Sequence, residues 1–304
     1  ESIMNLKKDN KNKVMSDHDV AIFTNQLASY QFKEALKALS IMVDADYSNC
    51  EKTHTMLSIC YDKEAIETGD FEKSLYHLNK AKEFGSKKSN YINNLKTHYS
   101  RRGSYYLDKM DYKKALEYYL KALEGGTDNN HIFMCGAGHA LIKLEKFDEG
   151  RHYYKNSIKL NKLYAPAFHF LGLSYFINRE FKEANGYFKD ACEIDSNQPQ
   201  YIMDYAKNLW HLKQYDKAIE FFYKIRMLQP NAPTPYLVLS TALLQVERYE
   251  ELFKLLNSVP EIVEANSKLQ EVIEECKIKL GHVIDKKLPH LNRKNLSNKN
   301  IKDD

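Results

Sequence analysis

The sequence has few of the residues that interrupt helices, and it lacks any long apolar run. Its 304 residues include only 11 glycines and 7 prolines. No apolar stretch approaches the roughly 20 residues that span a bilayer. The first residues, ESIMNLKKDNKNK, have no apolar core of a secretory signal. These absences argue against membrane insertion by these residues. Because the sequence opens on Glu1 rather than Met, removal of an upstream segment stays open.

Cysteine and excess charge are also scarce. The five cysteines lie far apart and form no Cys-x-x-Cys pair. An odd number at such spacing argues against a disulfide framework and a zinc ribbon, so a reducing, cytoplasmic location is expected. The formal net charge is only +4, too small to indicate that the whole surface binds nucleic acid or a membrane.

What the sequence does contain is a helical repeat. Tyrosine is abundant, at 22 residues, and apolar residues recur at intervals of three and four, which predicts an all-α protein. Five similar helical segments follow one another, and the first of them is DYKKALEYYLKA. They share one position, here called a slot, which usually holds a small residue and recurs after 35, 34, 34 and 34 residues. The residues in this slot are Ala115, Gly150, Ala184, Ala218 and Leu252.

A second slot lies twelve residues upstream of each of these positions, and the residue in it is always small. It holds Gly103, Gly138, Gly172, Ala206 and Ser240. Antiparallel helices approach to about 8–10 Å only where small side chains let a ridge enter a groove. Gly138 is therefore assigned to helix packing. A phosphate-binding loop would need a preceding strand, and no strand-like alternation precedes His131.

These paired slots, with an aromatic residue opening each second helix, resemble the tetratricopeptide repeat family. The resemblance implies a right-handed α-solenoid, a superhelix of antiparallel helix-turn-helix hairpins. Five regular hairpins are expected over residues 96–260. The two upstream hairpins, over 16–95, are irregular because their intervals are 39 and 41 residues and their first-helix slots hold Phe23 and Asp62.

The ends of the chain depart from the repeat. Residues 261–284 carry an amphipathic pattern that ends at Gly281, which predicts a capping helix for the array. Residues 1–15 and the Lys- and Asn-rich tail 285–304 have little apolar content, so both are expected to be frayed or disordered.

The family resemblance implies that first helices line a concave groove, which binds a peptide or helix of a partner protein. The lining positions follow from the register of the small slot. They are Arg101, Ser104, Cys135, His139, Lys143, His169, Leu173, Phe176, Met203, Lys207, Trp210, His211, Leu237 and Thr241. Aromatic residues and methionine dominate interface energies, and Trp210 is the only tryptophan. The opposing interpretation is that these residues belong to the core.

The sequence therefore predicts a non-catalytic adaptor or scaffold without a cofactor. Self-association stays open, as does a role as the recognition part or structural subunit of a larger complex or fused enzyme. The carboxylate clamp that some family members use is missing, since the clamp places hold residues such as Ser100, Gly136 and Phe170. Resemblance to the chaperone-tail co-chaperones is accordingly poor.

Three chemical alternatives are weaker. Cys135, His139 and His169 could converge on a metal, but they lack the short fixed spacing of zinc motifs. Hydrolysis needs a nucleophile, a base and an orienting group, and no such trio is evident. RNA binding through Arg101, Arg102 and the basic tail is disfavoured, because no base-reading pattern accompanies the charges.

Overall fold

A computed structural model of the chain describes residues 32–42, 51–124 and 130–287. The regular structure in these ranges is entirely helical, which confirms the predicted all-α solenoid class. The fifteen described helices are α1 (Phe32–Met42), α2 (Glu51–Thr68), α3 (Glu72–Glu83), α4 (Lys88–Asp108), α5 (Tyr112–Leu123), α6 (Asn130–Lys143), α7 (Phe147–Leu160), α8 (Ala165–Ile177), α9 (Phe181–Ile194), α10 (Pro199–His211), α11 (Tyr215–Leu228), α12 (Pro233–Gln245), α13 (Tyr249–Asn257), α14 (Pro260–Glu264) and α15 (Ser267–Lys287). Phe23 and the predicted disordered segment 1–15 lie outside the described residues, as does the tail beyond residue 287.

The helices form two compact units that divide between Leu171 and Gly172, within α8. In the first unit, α2 packs on α3, α4 on α5, and α6 on α7. In the second unit, α10 packs on α9 and α11, and α12 packs on α11 and α13. A continuous apolar core runs through the second unit from Ala184 to Cys276.

Both small slots of the regular hairpins are buried, as the repeat predicts. An added Cβ at Gly138 would come within 3.0 Å of the Gly150 carbonyl oxygen and 2.9 Å of the Tyr154 ring. An added Cβ at Gly172 would meet the Phe188 ring at 2.9 Å. Because real Cβ contacts are almost never this short, glycine at these places sets how closely the two helices approach.

Each regular hairpin turns through one residue with positive φ, and none of these residues is a glycine. They are Met110, Glu145, Arg179, Lys213 and Glu247, with φ between 59° and 62°. The turn closes as a Schellman motif, in which the N–H after the positive-φ residue donates to a carbonyl of the last helical turn. In the hairpin of α10 and α11 this is the bond from Gln214 N–H to Leu209 O, at 2.9 Å.

The irregular hairpin of α2 and α3 replaces the small slot with a charged residue. Asp62 lies there, only 3% exposed, opposite Ser74 in the facing slot. The 41-residue interval that follows is explained by α4, which has 21 residues where α6 has 14. The additional residues therefore lengthen a helix.

The predicted single capping helix is divided in two. α14 ends at Glu264 and α15 begins at Ser267. Asn266 separates them because its side-chain oxygen accepts the N–H of Leu269 at 3.1 Å, which starts the new helix. Gly281 does not end α15, which continues to Lys287 and packs against α12 and α13. Across the described ranges, no helix combines the length and the apolar character needed to span a membrane.

Candidate partner-binding surface

A cavity of about 330 Å³ opens between α10 and α12 in the second unit. Three of its residues come from α10, five from α12 and one from α11. They are Lys207, Trp210, His211, Phe222, Leu237, Val238, Thr241, Ala242 and Gln245. The five predicted groove residues Lys207, Trp210, His211, Leu237 and Thr241 are thus brought together around one opening.

Aromatic contacts hold the α10 side of the cavity. The Trp210 ring lies with its centroid 4.7 Å from that of Tyr215 and 6.5 Å from that of Phe222. The His211 ring stacks on Phe181 at 4.5 Å with an interplanar angle of 5°. Ring packing on both sides restricts these side chains, so this wall is formed before any ligand arrives.

The rim of the cavity is polar. Lys207 Nζ lies 3.4 Å from Asp204 Oδ1, and 48% of the Lys207 side chain is exposed. The Thr241 hydroxyl donates to the carbonyl of Leu237 at 2.8 Å, which leaves its oxygen able to accept a hydrogen bond. An apolar floor with a few polar groups at the edge is the usual composition of a ligand pocket.

The remaining predicted residues of the second unit surround this cavity without lining it. Leu173, Phe176 and Met203 are half-buried and pack against the core. The Phe176 ring meets His211 edge-on at 5.3 Å, so it supports the cavity wall from behind. Sequence reasoning missed Val238 and Ala242 as lining residues, although their spacing of four places them on one helix face with Gln245.

In the first unit, part of the matching face is held by contacts within the chain. Arg101 NH1 lies 2.9 Å from Asp62 Oδ2, so the guanidinium is held by a buried carboxylate. Ser104 is exposed, but its hydroxyl lies 2.8 Å from the Tyr119 hydroxyl. Lys143 is also exposed.

Cys135 and His169 lie deeper than a lining residue should, each 4% exposed. Burial raises the pKa of the Cys135 thiol to about 12, so this thiol is protonated at neutral pH. The pKa of His139 is lowered by burial and by Lys143, and its ring meets Phe170 edge-on at 4.8 Å. No three histidine, cysteine or acidic side chains among the described residues come together as a metal site, so Cys135, His139 and His169 do not form one.

A buried polar cluster surrounds Asp62, and sequence reasoning did not predict it. His98 Nδ1 lies 2.7 Å from Asp62 Oδ1, and the Ser74 hydroxyl donates to the same oxygen at 2.6 Å. Burial alone would raise the pKa of the Asp62 carboxyl, but its bonds with His98 and Ser74 and the charge of Arg101 lower it. Asp62 is therefore an ionised hub that joins α2, α3 and α4.

This cluster contains serine, histidine and aspartate, but its geometry is not that of a hydrolase. Ser74 and Asp62 both lie beside the same nitrogen of His98, at 3.1 and 2.7 Å. A catalytic histidine contacts its serine and its aspartate through opposite ring nitrogens. Ser74 is also fully buried, and its hydroxyl oxygen lies 3.0 Å from the carbonyl oxygen of Ser58. The cluster accordingly stabilises the hairpin.

A larger cavity of about 750 Å³ lies in the second unit between α11, α13 and α15. Its charged side chains compensate one another, three basic against three acidic. They are Arg226, Arg248 and Lys254 with Glu247, Glu250 and Glu251. Glu251 accepts from the Tyr223 hydroxyl at 2.6 Å and from Arg248 Nε at 2.7 Å, so part of the cavity wall is already cross-linked by hydrogen bonds.

Comparison with known protein families identifies the repeat. Tetratricopeptide repeat families match residues 99–124 and 135–199. The heat shock protein STI1 of Saccharomyces cerevisiae is 25% identical over 99 residues, which are 33% of this chain and 17% of that protein. Anaphase-promoting complex subunit 6 of Arabidopsis thaliana is 26% identical over 176 residues, 53% of this chain and 31% of that protein. The chain thus spans less than a third of the length of these relatives.

Solved structures share the fold. The Pseudomonas aeruginosa protein PilF superposes with a TM-score of 0.52 at 14% identity, covering 70% of this chain and 91% of PilF. A chain of the APC/C hetero-tetramer Cut9–Hcn1 superposes with a TM-score of 0.54 at 13% identity, covering 84% of this chain and 48% of that one. At such identities the likeness concerns architecture alone.

Proposed function

We propose that this chain, an all-α solenoid of tetratricopeptide repeats, is a non-catalytic adaptor or scaffold that binds a peptide or helix of a partner protein. The binding surface is the first-helix face of the second unit, at the α10–α12 cavity. The observation that carries the proposal is the convergence of Trp210, Leu237 and Thr241 around an apolar opening of about 330 Å³. We further propose a cytoplasmic location, consistent with the four cysteines of the described residues being free and buried.

The cavity suits a side chain of a peptide better than a reacting substrate. Its floor is apolar, and the only ionisable side chains that line it within the described part of the chain are a lysine and a histidine on one face of α10. An anchor residue buried beside a rigid aromatic ring is the usual source of binding energy in a protein interface. The aromatic packing of the wall reduces the entropy that binding would otherwise cost.

A second candidate is a structural subunit of a larger assembly, with the same surface as one of its contacts. The observation that favours it is the match over 53% of this chain to a subunit of the anaphase-promoting complex. This candidate differs from the adaptor mainly in the permanence of the partner. A constitutive complex would be purified intact from its source, whereas an adaptor would be recovered mostly alone.

The test is a selection of random 12-residue phage-displayed peptides on the purified full chain. Thr241 is exposed at the rim, so a Thr241→Phe variant should close the cavity while leaving the fold intact. Leu237→Ala enlarges the cavity floor instead. Met227→Ala is the matched control, because Met227 is 74% exposed and does not line the cavity.

We expect enriched peptides to bind the wild-type chain and the Met227→Ala variant, and to lose binding to Thr241→Phe and Leu237→Ala. Circular dichroism and the unfolding midpoint of each variant would establish that the helices are retained. Peptides that bind all four chains equally would overturn the proposal and place the binding surface elsewhere.

A further inference from the structure

The ionisable side chains that line the α10–α12 cavity are basic, and the acidic Asp204 that pairs with Lys207 lies outside the lining. Among the residues that the structure describes, Lys207 and His211 are the cavity's only ionisable lining residues, and no aspartate or glutamate lines it. The larger cavity of the same unit combines three basic with three acidic side chains. Only the smaller cavity therefore favours a ligand of particular charge, and that charge is negative.

Lys207 has donor capacity to spare. Its ammonium carries three donors, and it lies 3.4 Å from Asp204, at the long end of an ion pair. Asp204 itself is buried and accepts a shorter hydrogen bond of 2.8 Å from Gln200 Nε2. About half of the Lys207 side chain is exposed, so it can reach a carboxylate on a bound peptide. Asp204 keeps its hydrogen bond from Gln200 when Lys207 does so.

The floor of the cavity requires a different kind of group. Trp210, Phe222, Leu237, Val238 and Ala242 surround it with apolar surface. A volume of about 330 Å³ lies at the low end of ligand pockets, and it has room for one bulky side chain. Lys207, Trp210 and His211 are spaced as i, i+3 and i+4, which places the apolar site and the basic site within one helical turn.

We infer that the ligand is an acidic peptide segment that inserts one bulky apolar side chain beside Trp210 and pairs a nearby carboxylate with Lys207. The inference rests on the proposed function and names the chemistry of its ligand. Leucine, phenylalanine or a residue of similar bulk would occupy the floor. A glutamate or aspartate within about one helical turn of that anchor would lie at the rim.

The experiment uses the peptides selected on the full chain, sequenced as a population and then synthesised singly. Trp210 is the only tryptophan, so its fluorescence emission reports binding at the cavity directly. Affinities are measured for the wild-type chain, Lys207→Gln and Lys254→Gln. The last variant is the matched control, because it removes the same charge from the other cavity of the unit. Each titration is repeated at low and at high salt.

We expect a bulky apolar residue next to an acidic residue to be enriched among the peptides. Lys207→Gln should weaken binding about fivefold and reduce its salt dependence, and Lys254→Gln should change neither. Two outcomes would overturn this inference and leave the proposed function standing. One is that selected peptides bind at the cavity although they contain no carboxylate side chain, and the other is that Lys207→Gln and Lys254→Gln change the affinity equally. If no enriched peptide loses binding when Thr241→Phe closes the cavity, the inference and the proposed function are both wrong.

Discussion

The two units of the chain carry the same repeat register but use their first-helix faces differently. In the second unit, the register places Lys207, Trp210 and Thr241 around an open cavity. In the first unit, Arg101 is held by buried Asp62, and Cys135 and His169 lie beneath the surface. Residues at equivalent positions thus line a cavity in one unit and are held in contacts that stabilise the fold in the other. The repeat register alone does not decide which of these two roles a position takes.

This comparison predicts that substitutions in the first unit change stability and leave binding unaltered. The largest expected effect is that of Asp62→Ala, which removes the acceptor shared by His98, Ser74 and Arg101. Loss of one partner from a buried ion pair costs about 3 kcal/mol or more. Urea unfolding followed by circular dichroism measures the change.

Asp148→Ala is the control for this variant, since Asp148 is exposed on α7. It should change the unfolding free energy by less than about 0.5 kcal/mol. Equal unfolding midpoints for the two aspartate variants would show that the buried cluster does not stabilise the first unit.

A smaller loss is expected for Gly138→Ala. The new Cβ would press on the Gly150 carbonyl oxygen at 3.0 Å, so α6 and α7 must separate. Overpacking of this kind costs about 1–3 kcal/mol. The control is Gly186→Ala, where an added Cβ meets nothing within 4 Å, and a gain of up to about 1 kcal/mol follows from helix propensity. A thermal melt of both variants would contradict the packing argument if the two changes had the same sign.

Acid should weaken the first unit through the histidines at the contact of α2 and α3. His54 Nδ1 and His77 Nδ1 lie 2.8 Å apart, and burial together with His54 lowers the pKa of His77 to about 4. The neutral ring is favoured in the fold, so stability is complete above the unfolded pKa of about 6.5 and falls as the pH drops towards 4. Because the ring is half-buried and screened by solvent, we expect a loss of about 1–2 kcal/mol.

Unfolding curves at pH 7 and pH 4.5 measure this loss. His77→Phe should reduce the difference between the two curves. The control His152→Gln, at an exposed histidine of α7, should leave the difference as it is in the wild-type chain. A pH dependence that survives His77→Phe unchanged would exclude the histidine pair as its source.

The smallest effect concerns the hairpin turns of both units. Lys213 has φ of 61°, a conformation that favours glycine. Lys213→Gly should stabilise the chain by about 0.5–1 kcal/mol, less the entropy that glycine adds to the unfolded state. Glu220→Gly, in the interior of α11, should instead lose about 0.5–1 kcal/mol. Chemical denaturation of the pair would reveal an error in the turn assignment if Lys213→Gly were the more harmful.

The sequence predicted the hairpins well where the repeat is regular. The slots at Gly138, Gly172 and Ala206 are buried as expected, because small residues at a fixed interval report helix approach directly. The positive-φ turns gave no signal, since Lys213 and Glu145 are not residues that favour this conformation. They adopt it because the packing of two helices dictates the connection between them.

The candidate site was predictable only in part. The register placed Trp210, Leu237 and Thr241 on one surface, and they share a cavity. The same register misplaced Cys135, which is buried. The Asp62 cluster escaped prediction because its members lie 12, 36 and 39 residues apart across irregular hairpins. Such contacts depend on how helices of unequal length align, and the repeat register contains no information about that alignment.

The most direct measurement compares two insertions at one register position. Ser104 and Thr241 each follow the small slot of their first helix by one residue, and both are exposed. Trp210 emission is titrated with a selected peptide in Ser104→Phe and in Thr241→Phe. The account predicts wild-type affinity for Ser104→Phe and no measurable binding for Thr241→Phe. An equal loss in both variants would contradict the assignment of binding to the second unit.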